Sequence, residues 1–241
     1  MNGTIRAAFL SLAAGAALSA LAGCTDTTAP LPVLDPPKVM YGATVDDGFK
    51  VNAINIKRID PQYLRQVVDT PESIPNEEGT IVVDPAHRFL YLILAGGKSM
   101  RYGIGVGRDG FAWSGTAVIK DKQHWPKWFP PKEMVARDPR LKPVADGQDG
   151  GPRNPLGARA LYLWQGNVDT LYRLHGTTDP SSIGTAASSG CVRLFNQDII
   201  DLYERVPTGT KVVVLPDPSE RPAEPNLVTE IFGKPLPASK I

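Results

Sequence analysis

Cysteine is nearly missing from this 241-residue chain, with thiols only at Cys24 and Cys191, and histidine is scarcely commoner, at His87, His124 and His175. Histidines so far apart, beside so few thiols, match no usual zinc-ligand spacing, and no metal is assigned. A charge excess is missing too: 26 basic residues face 25 acidic ones, giving a net charge of +1 and a pI near 7.7. No global field draws such a chain onto polyanions, so no nucleic-acid partner is expected and partners must be sought at local sites. Long hydrophobic runs are also lacking. The apolar stretch from Ala7 to Ala22 falls short of the ~20 residues that a bilayer-spanning helix needs. No internal repeat or heptad array stands out. Glycine and proline, by contrast, are abundant at 23 each, which argues against an all-helical fold because both are costly inside helices. With 42% hydrophobic and 21% charged residues the chain can bury a core, and a disordered tail or a collagen-like fibre is excluded.

The N-terminus reads as an export signal: Arg6, the apolar stretch, then Leu21-Ala22-Gly23-Cys24, small residues suited to a peptidase rather than a stop-transfer cluster. The tetrapeptide resembles the lipobox of bacterial lipoproteins. That resemblance implies removal of residues 1–23, a diacylglyceryl thioether on Cys24, and a membrane held through this lipid anchor. It places the protein in the bacterial cell envelope as a periplasm-facing lipoprotein, with an ordinary secretory signal as the plain alternative. If Cys24 is lipidated, Cys191 has no intramolecular partner, and an unpaired thiol is exposed to oxidation in that compartment.

Residues 24–78 read as a lipidated linker and N-terminal extension. Pro30, Pro32, Pro36 and Pro37 mark residues 25–46 as an extended spacer. A short alternating piece runs from Val51 to Ile56, and Pro61 to Val68 reads as a helical turn or two with Asp60 as its cap. Residues 79–215 read as a domain that is mostly β, a β-sandwich with one or more short helices. Its strands are expected at Thr80–Asp84, Phe89–Leu94, Lys98–Val106, Thr116–Lys120, Ala160–Trp164, Leu171–His175 and Lys211–Leu215. Phe195, Ile199, Leu202 and Tyr203 recur at helical spacing. Residues 216–241 are a proline-rich tail.

The informative stretch is His175-Gly176-Thr177, followed by Ser188-Ser189-Gly190-Cys191-Val192-Arg193-Leu194. A histidine ends a strand, and the spare thiol follows shortly before the predicted helix. A helix N-terminus and a neighbouring imidazole lower a thiol's pKa, and a thiolate is the species that performs covalent acyl transfer. Small residues at 188–190 let a carbonyl approach the backbone, where N–H groups around Gly190 and Cys191 face a developing oxyanion. Every histidine precedes Cys191, which excludes cysteine peptidases whose nucleophile comes first.

These residues resemble the signature of the L,D-transpeptidase catalytic domain family, of the YkuD type with the ErfK and YbiS group nearest. Gly105-Val106-Gly107, Trp113-Ser114-Gly115-Thr116, Trp128-Phe129-Pro130-Pro131 and Asn154-Pro155-Leu156-Gly157 are similar to its ordered landmarks. The resemblance implies an enzyme that attacks a peptidoglycan stem peptide, expels D-alanine, holds a thioester and passes it to a second stem's amine, with no cofactor. It implies Cys191 as nucleophile, His175 as general base and acid, and Gly176 as the backbone that orients the ring. Ser188, Ser189 and Gly190 become the substrate-facing loop, and Arg193 a contact for substrate carboxylate or a brace. Many members carry histidine where this chain has Ser189.

Two other outcomes are compatible with the same thioester: a murein hydrolase, or a protein-to-peptidoglycan ligase. A non-catalytic wall-binding lipoprotein is the third. Arg193 also has a plain reading, an ion pair with Asp198. His87, in a hairpin turn, and His124, in a polar loop, read as solvent-facing bystanders. Trp125, Trp128 and Phe129 read as a wall or lid, and Lys120, Lys122, Lys127 and Lys132 as a solvated charge run or a recruiting patch.

Overall fold

Short runs rich in Val, Ile and Tyr, each bounded by Gly, Pro or Asp, pair laterally because β-branched and aromatic side chains fit a pleated, half-buried surface. The computed structural model of the protein describes residues 32–107, 113–188 and 191–216. A helical turn, α1 (Pro37–Met40), leads into a hairpin of β1 (Thr44–Asp46) and β2 (Phe49–Val51). Its tip, Asp47-Gly48, takes φ of 47° and 80°, the left-handed pair favoured in two-residue hairpin loops. Then come β3 (Gln66–Asp69), β4 (Ile81–Asp84), β5 (Phe89–Ile93), β6 (Lys98–Gly103), β7 (Val106–Gly107) and β8 (Gly115–His124). After α2 (Lys132–Arg137) follow β9 (Arg159–Gln165), β10 (Val168–His175), β11 (Ala186–Ser188) and β12 (Val192–Arg193). The ten-residue α3 (Asn196–Arg205) and β13 (Lys211–Val214) complete the described elements.

Nine strands form one sheet in the order β12-β10-β9-β8-β13-β4-β5-β6-β3. Neighbours are antiparallel except for β13 beside β4 and β12 beside β10. Strands β7 and β11 pair in parallel as a separate ribbon. Strand β4 is buried along its whole length, Ile81 and Val83 entering the main core while Val82 joins a second cluster on the opposite face. A strand covered on both sides reads as a continuous apolar run for this reason. α3 lays Ile199 and Leu202 on the main core, as its spacing predicts.

Two expectations fail in the N-terminal part. The segment read as spacer is folded from Pro37 onward: it carries α1 and β1, and Tyr41 is fully buried. The Tyr41 hydroxyl hydrogen-bonds 3.0 Å from each Asp198 carboxylate oxygen and accepts the Arg65 N–H at 2.7 Å. Arg65 Nη1 lies 2.7 Å from Asp201 Oδ1, and Tyr102 donates to Asp201 Oδ2 at 2.7 Å. Proline density predicted an extended tether, but buried polar pairing to α3 fixes the chain instead. The second concerns the helical turn or two expected over 61–68, of which only the first part forms. Asp60 does cap a turn, accepting the Gln62 N–H at 3.1 Å, yet the turn is a single 3₁₀ turn over Pro61–Tyr63. The chain then extends into β3, whose Val67 and Val68 pair with Met100 and Ser99.

Tyr41→Phe removes the hydroxyl that serves both a buried carboxylate and a backbone N–H. Leaving them unsatisfied costs about 1–3 kcal/mol. Urea unfolding should show a lower midpoint at unchanged slope; a midpoint equal to wild type contradicts the role given to this network.

Candidate active site

The pairing at one end of the sheet decides which side chains meet. In the parallel pair β10–β12, Leu174 stands opposite Val192 and His175 opposite Arg193. Leu174 and Val192 both point into the main core. Side chains alternate along a strand, so Arg173, His175, Cys191 and Arg193 project together from the other face. All four line one cleft of about 880 Å³. The sequence-predicted nucleophile and base are thus brought onto one surface by backbone pairing. A second tie, Leu194 N–H to the His175 carbonyl at 2.8 Å, holds the register, and Gly105 exchanges two 2.9 Å bonds with Arg193 on the far side of β12.

His175 is buried, with 5% of its surface exposed. Its Nδ1 lies 2.6 Å from the Gly176 carbonyl oxygen. A carbonyl only accepts, so Nδ1 carries the proton and Nε2 keeps the lone pair of the neutral ring. Burial pulls the ring's pKa down to about 4; the Gly176 and Leu156 backbone groups oppose this, and Arg193 and Arg173 reinforce it. Gly176 has to be glycine: a Cβ there would collide with Asn196 Oδ1 and sit 3.0 Å from Ala158 N. Asn196 is the tie across this crowded point, donating to Thr177 O and accepting the Ala158 N–H, both at 3.0 Å. Asn154 holds the loop whose Leu156 backbone acts on the ring. Its Nδ2 reaches the carbonyls of Pro126, Gln148 and Asp149, and its Oδ1 accepts the Leu156 N–H.

Cys191 is partly exposed and not disulfide-bonded. The expected helix N-terminus is not beside it, because β12 intervenes before α3 begins at Asn196. Burial pushes the thiol up from its ordinary value, opposed by the Arg173 backbone and by the charges of Arg173 and Arg193. This corrects the sequence expectation of a depressed thiol pKa. Burial thus favours the uncharged form of each group, thiol and imidazole. Arg193 is not paired with Asp198, whose carboxylate is engaged by Tyr41 and Arg65; the charge acting on Arg193 is Asp179, joined by Cys191 when its thiol ionises. Ser189 and Gly190 lie outside the described residues, and Ser188 ends β11 opposite Gly107.

The aromatic segment divides. Trp128 and Phe129 line the cleft, whereas Trp125 turns inward and donates to Asp46 Oδ2 at 2.8 Å. Asp46 also receives Arg159 through two bonds, 2.5 and 2.7 Å, so the hairpin braces the base of this wall. Among the four lysines of the charge run only Lys127 reaches the cleft lining. Lys122 instead donates to the Tyr203 and Val206 carbonyls at the end of α3, and Lys120 lies over Trp164. His87 pairs with Asp84, and His124 closes β8 with its ring on Asp47 rather than sitting in a loop. Among the described residues no cluster of His, Cys, Asp and Glu is arranged to hold a metal ion. Sequence reasoning missed Asn196, Tyr41 and the Asp169–Arg173 pair, none of which carries a local motif.

Comparison with known proteins identifies the family. The family profile described as YkuD, L,D-transpeptidase catalytic domain, matches residues 78–214, more than half of the chain. Probable L,D-transpeptidase YbiS of Escherichia coli K12 is 36% identical over 152 residues, 61% of this chain and 47% of that protein. Probable L,D-transpeptidase ErfK/SrfK of Salmonella typhimurium LT2 is 33% identical over 154 residues, with the same two shares. The chain therefore spans about half the length of these curated relatives. A solved chain from Brucella melitensis, named as a probable carnitine operon oxidoreductase, is 50% identical and covers 67% of this chain and 99% of its own, at a TM-score of 0.44. A superposition that loose carries no argument. The matched residues run from β4 to the end of β13 and include the whole cleft-facing quartet, and on that ground the chain belongs to the YkuD family of L,D-transpeptidase catalytic domains.

Proposed function

We propose that the protein is a cell-envelope L,D-transpeptidase that forms peptidoglycan cross-links through a thioester on Cys191. One observation carries this reading: the Leu174–Val192 pairing turns Cys191 and His175 to the same side of a single cleft. The Cys191 thiol gives its proton to His175 Nε2 as the sulfur attacks the carbonyl carbon that follows the L-centre of a stem tetrapeptide. The tetrahedral oxyanion collapses, the C–N bond to D-alanine breaks, and the leaving amine takes the proton from the imidazole. A second stem's amine then attacks the thioester and loses its proton to His175, and the thiol is restored. No cofactor takes part. The backbone N–H of Cys191, with that of Gly190, is the proposed donor set for the oxyanion, and Arg193 the cationic contact for a substrate carboxylate. Trp128 and Phe129 form the apolar wall along which the stem lies. Cys24 is the proposed lipid attachment.

Purified protein incubated with isolated murein should enrich stem-peptide dimers, and Cys191→Ala should not. Shortened stems without dimers would make the protein a hydrolase, and identical products from both proteins would defeat the reading. A pH profile gives a second test. The base works only as neutral imidazole, and burial keeps His175 neutral down to about pH 4. The thiol, shifted upward, stays protonated through neutrality. The rate of acylation by a carbapenem, a strained acyl donor, should therefore stay level from about pH 5 to about pH 8, instead of falling below ~6.5 as for an ordinary histidine.

A further inference from the structure

Strand β10 breaks its pairing with β9 just before the cleft. Asp169 stands opposite Trp164 and Arg173 opposite Tyr162, so residues 170–172 bulge out against Leu163 alone. At the top of the bulge Leu171 takes φ of +62°, a left-handed conformation unfavourable for a residue with a branched side chain. Three side chains hold it there. Asp169 Oδ1 accepts the Leu171 N–H at 2.9 Å. Both Asp169 oxygens are gripped by Arg173, from Nη1 and Nη2 at 2.8 Å each. Thr170 Oγ1 donates to the Leu163 carbonyl at 2.6 Å and accepts the Tyr172 N–H at 3.2 Å. The guanidinium is fixed once more by lying over the Tyr162 ring, 4.4 Å from its centroid.

This bulge faces the sulfur. Cys191 Sγ lies 3.9 Å from the Leu171 carbonyl oxygen, its acceptor in the thiol form, while the Arg173 backbone bonds to the sulfur and favours the thiolate. Arg173 itself has little left to offer a substrate: Nη1 is shared between Asp169 and the Tyr172 carbonyl, and Nη2 is held by Asp169.

We propose that the Asp169–Arg173 fork, acting through the left-handed turn at Leu171, is the device that positions the Cys191 sulfur for attack. The inference rests on the reading of Cys191 as nucleophile, and it makes Asp169 and Arg173 positioning residues rather than groups that touch the substrate. The charged and titratable groups that act on or around this sulfur are Arg173 and Asp169 from β10, Arg193 from β12, and Tyr172 and His175 within the same cleft.

The test compares wild type with Arg173→Gln and Arg173→Lys in two assays. The first is carbapenem acylation, resolved into a maximal rate and a half-saturating concentration. The second is the pH dependence of Cys191 alkylation by iodoacetamide, which needs no wall substrate. Arg173→Gln should lower the maximal acylation rate at least about tenfold, with half-saturation changed less than about threefold, and should raise the alkylation midpoint by about half a pH unit or more. Arg173→Lys keeps the charge but loses the two-pronged grip, so it should restore the midpoint and leave the maximal rate low. A maximal rate for Arg173→Gln within twofold of wild type overturns the proposal. So does a loss confined to half-saturation, which would make Arg173 a substrate contact. If wild type itself resists the carbapenem, the transpeptidase reading fails separately, and the fork is judged on the alkylation midpoints alone: an unshifted Arg173→Gln midpoint then rejects it. Near-UV circular dichroism of each variant guards against reading an unfolded protein as a displaced sulfur.

Discussion

The parallel contact between β10 and β12 is the constraint on which the rest of the structure depends. It is only two residues long on the β12 side, yet alternation makes it decisive: burying Leu174 and Val192 forces their neighbours outward. A slip of one residue would send Cys191 or His175 into the core and expose an aliphatic side chain in its place. The contact is held from both directions, by His175 and Leu194 on one side and by Gly105 on the other. Gly157 and Gly176 then let two backbones cross beside Asn196 at a distance that no other residue permits.

The same burial that fixes the geometry sets the chemistry. An imidazole sunk in the cleft wall with Nδ1–H tied to a carbonyl is held neutral and in one tautomer. The Cys191 thiol in the same cleft is pushed towards its protonated form by desolvation. On the proposed reading, the two groups rest uncharged and separate charge only when a substrate carbonyl arrives to receive it. Arg173 and Arg193 act against the burial penalty on sulfur while making protonation of the ring harder.

Much of the sheet was legible because its signals are local, and the histidine and thiol that the sequence singles out do line one cleft. Short apolar runs between turn residues mark β4, β5 and β6; helical spacing marks α3; and Asp60 before Pro61 marks a turn. What stayed hidden depends on partners far away in the chain. Nothing near Tyr41 announces that its hydroxyl meets Asp198, so proline density was read as a spacer. Gln66 to Asp69 took its strand character from pairing with β6, overriding the helical start before it. The thiol's environment was misread because proximity in sequence to α3 suggested a helix dipole, whereas β12 stands between them. Asp169 and Arg173 carry no motif at all, since a four-residue spacing brings side chains together on a helix and does so within a strand only where a bulge folds the chain back.

The most direct measurement is the intact mass of the protein after exposure to a carbapenem, followed by peptide mapping of the modified residue. The account predicts a single covalent adduct on the peptide that carries Cys191, formed far more slowly by His175→Ala and never on Cys191→Ser. An unmodified wild type, or an adduct of equal extent on Cys191→Ser, would contradict it.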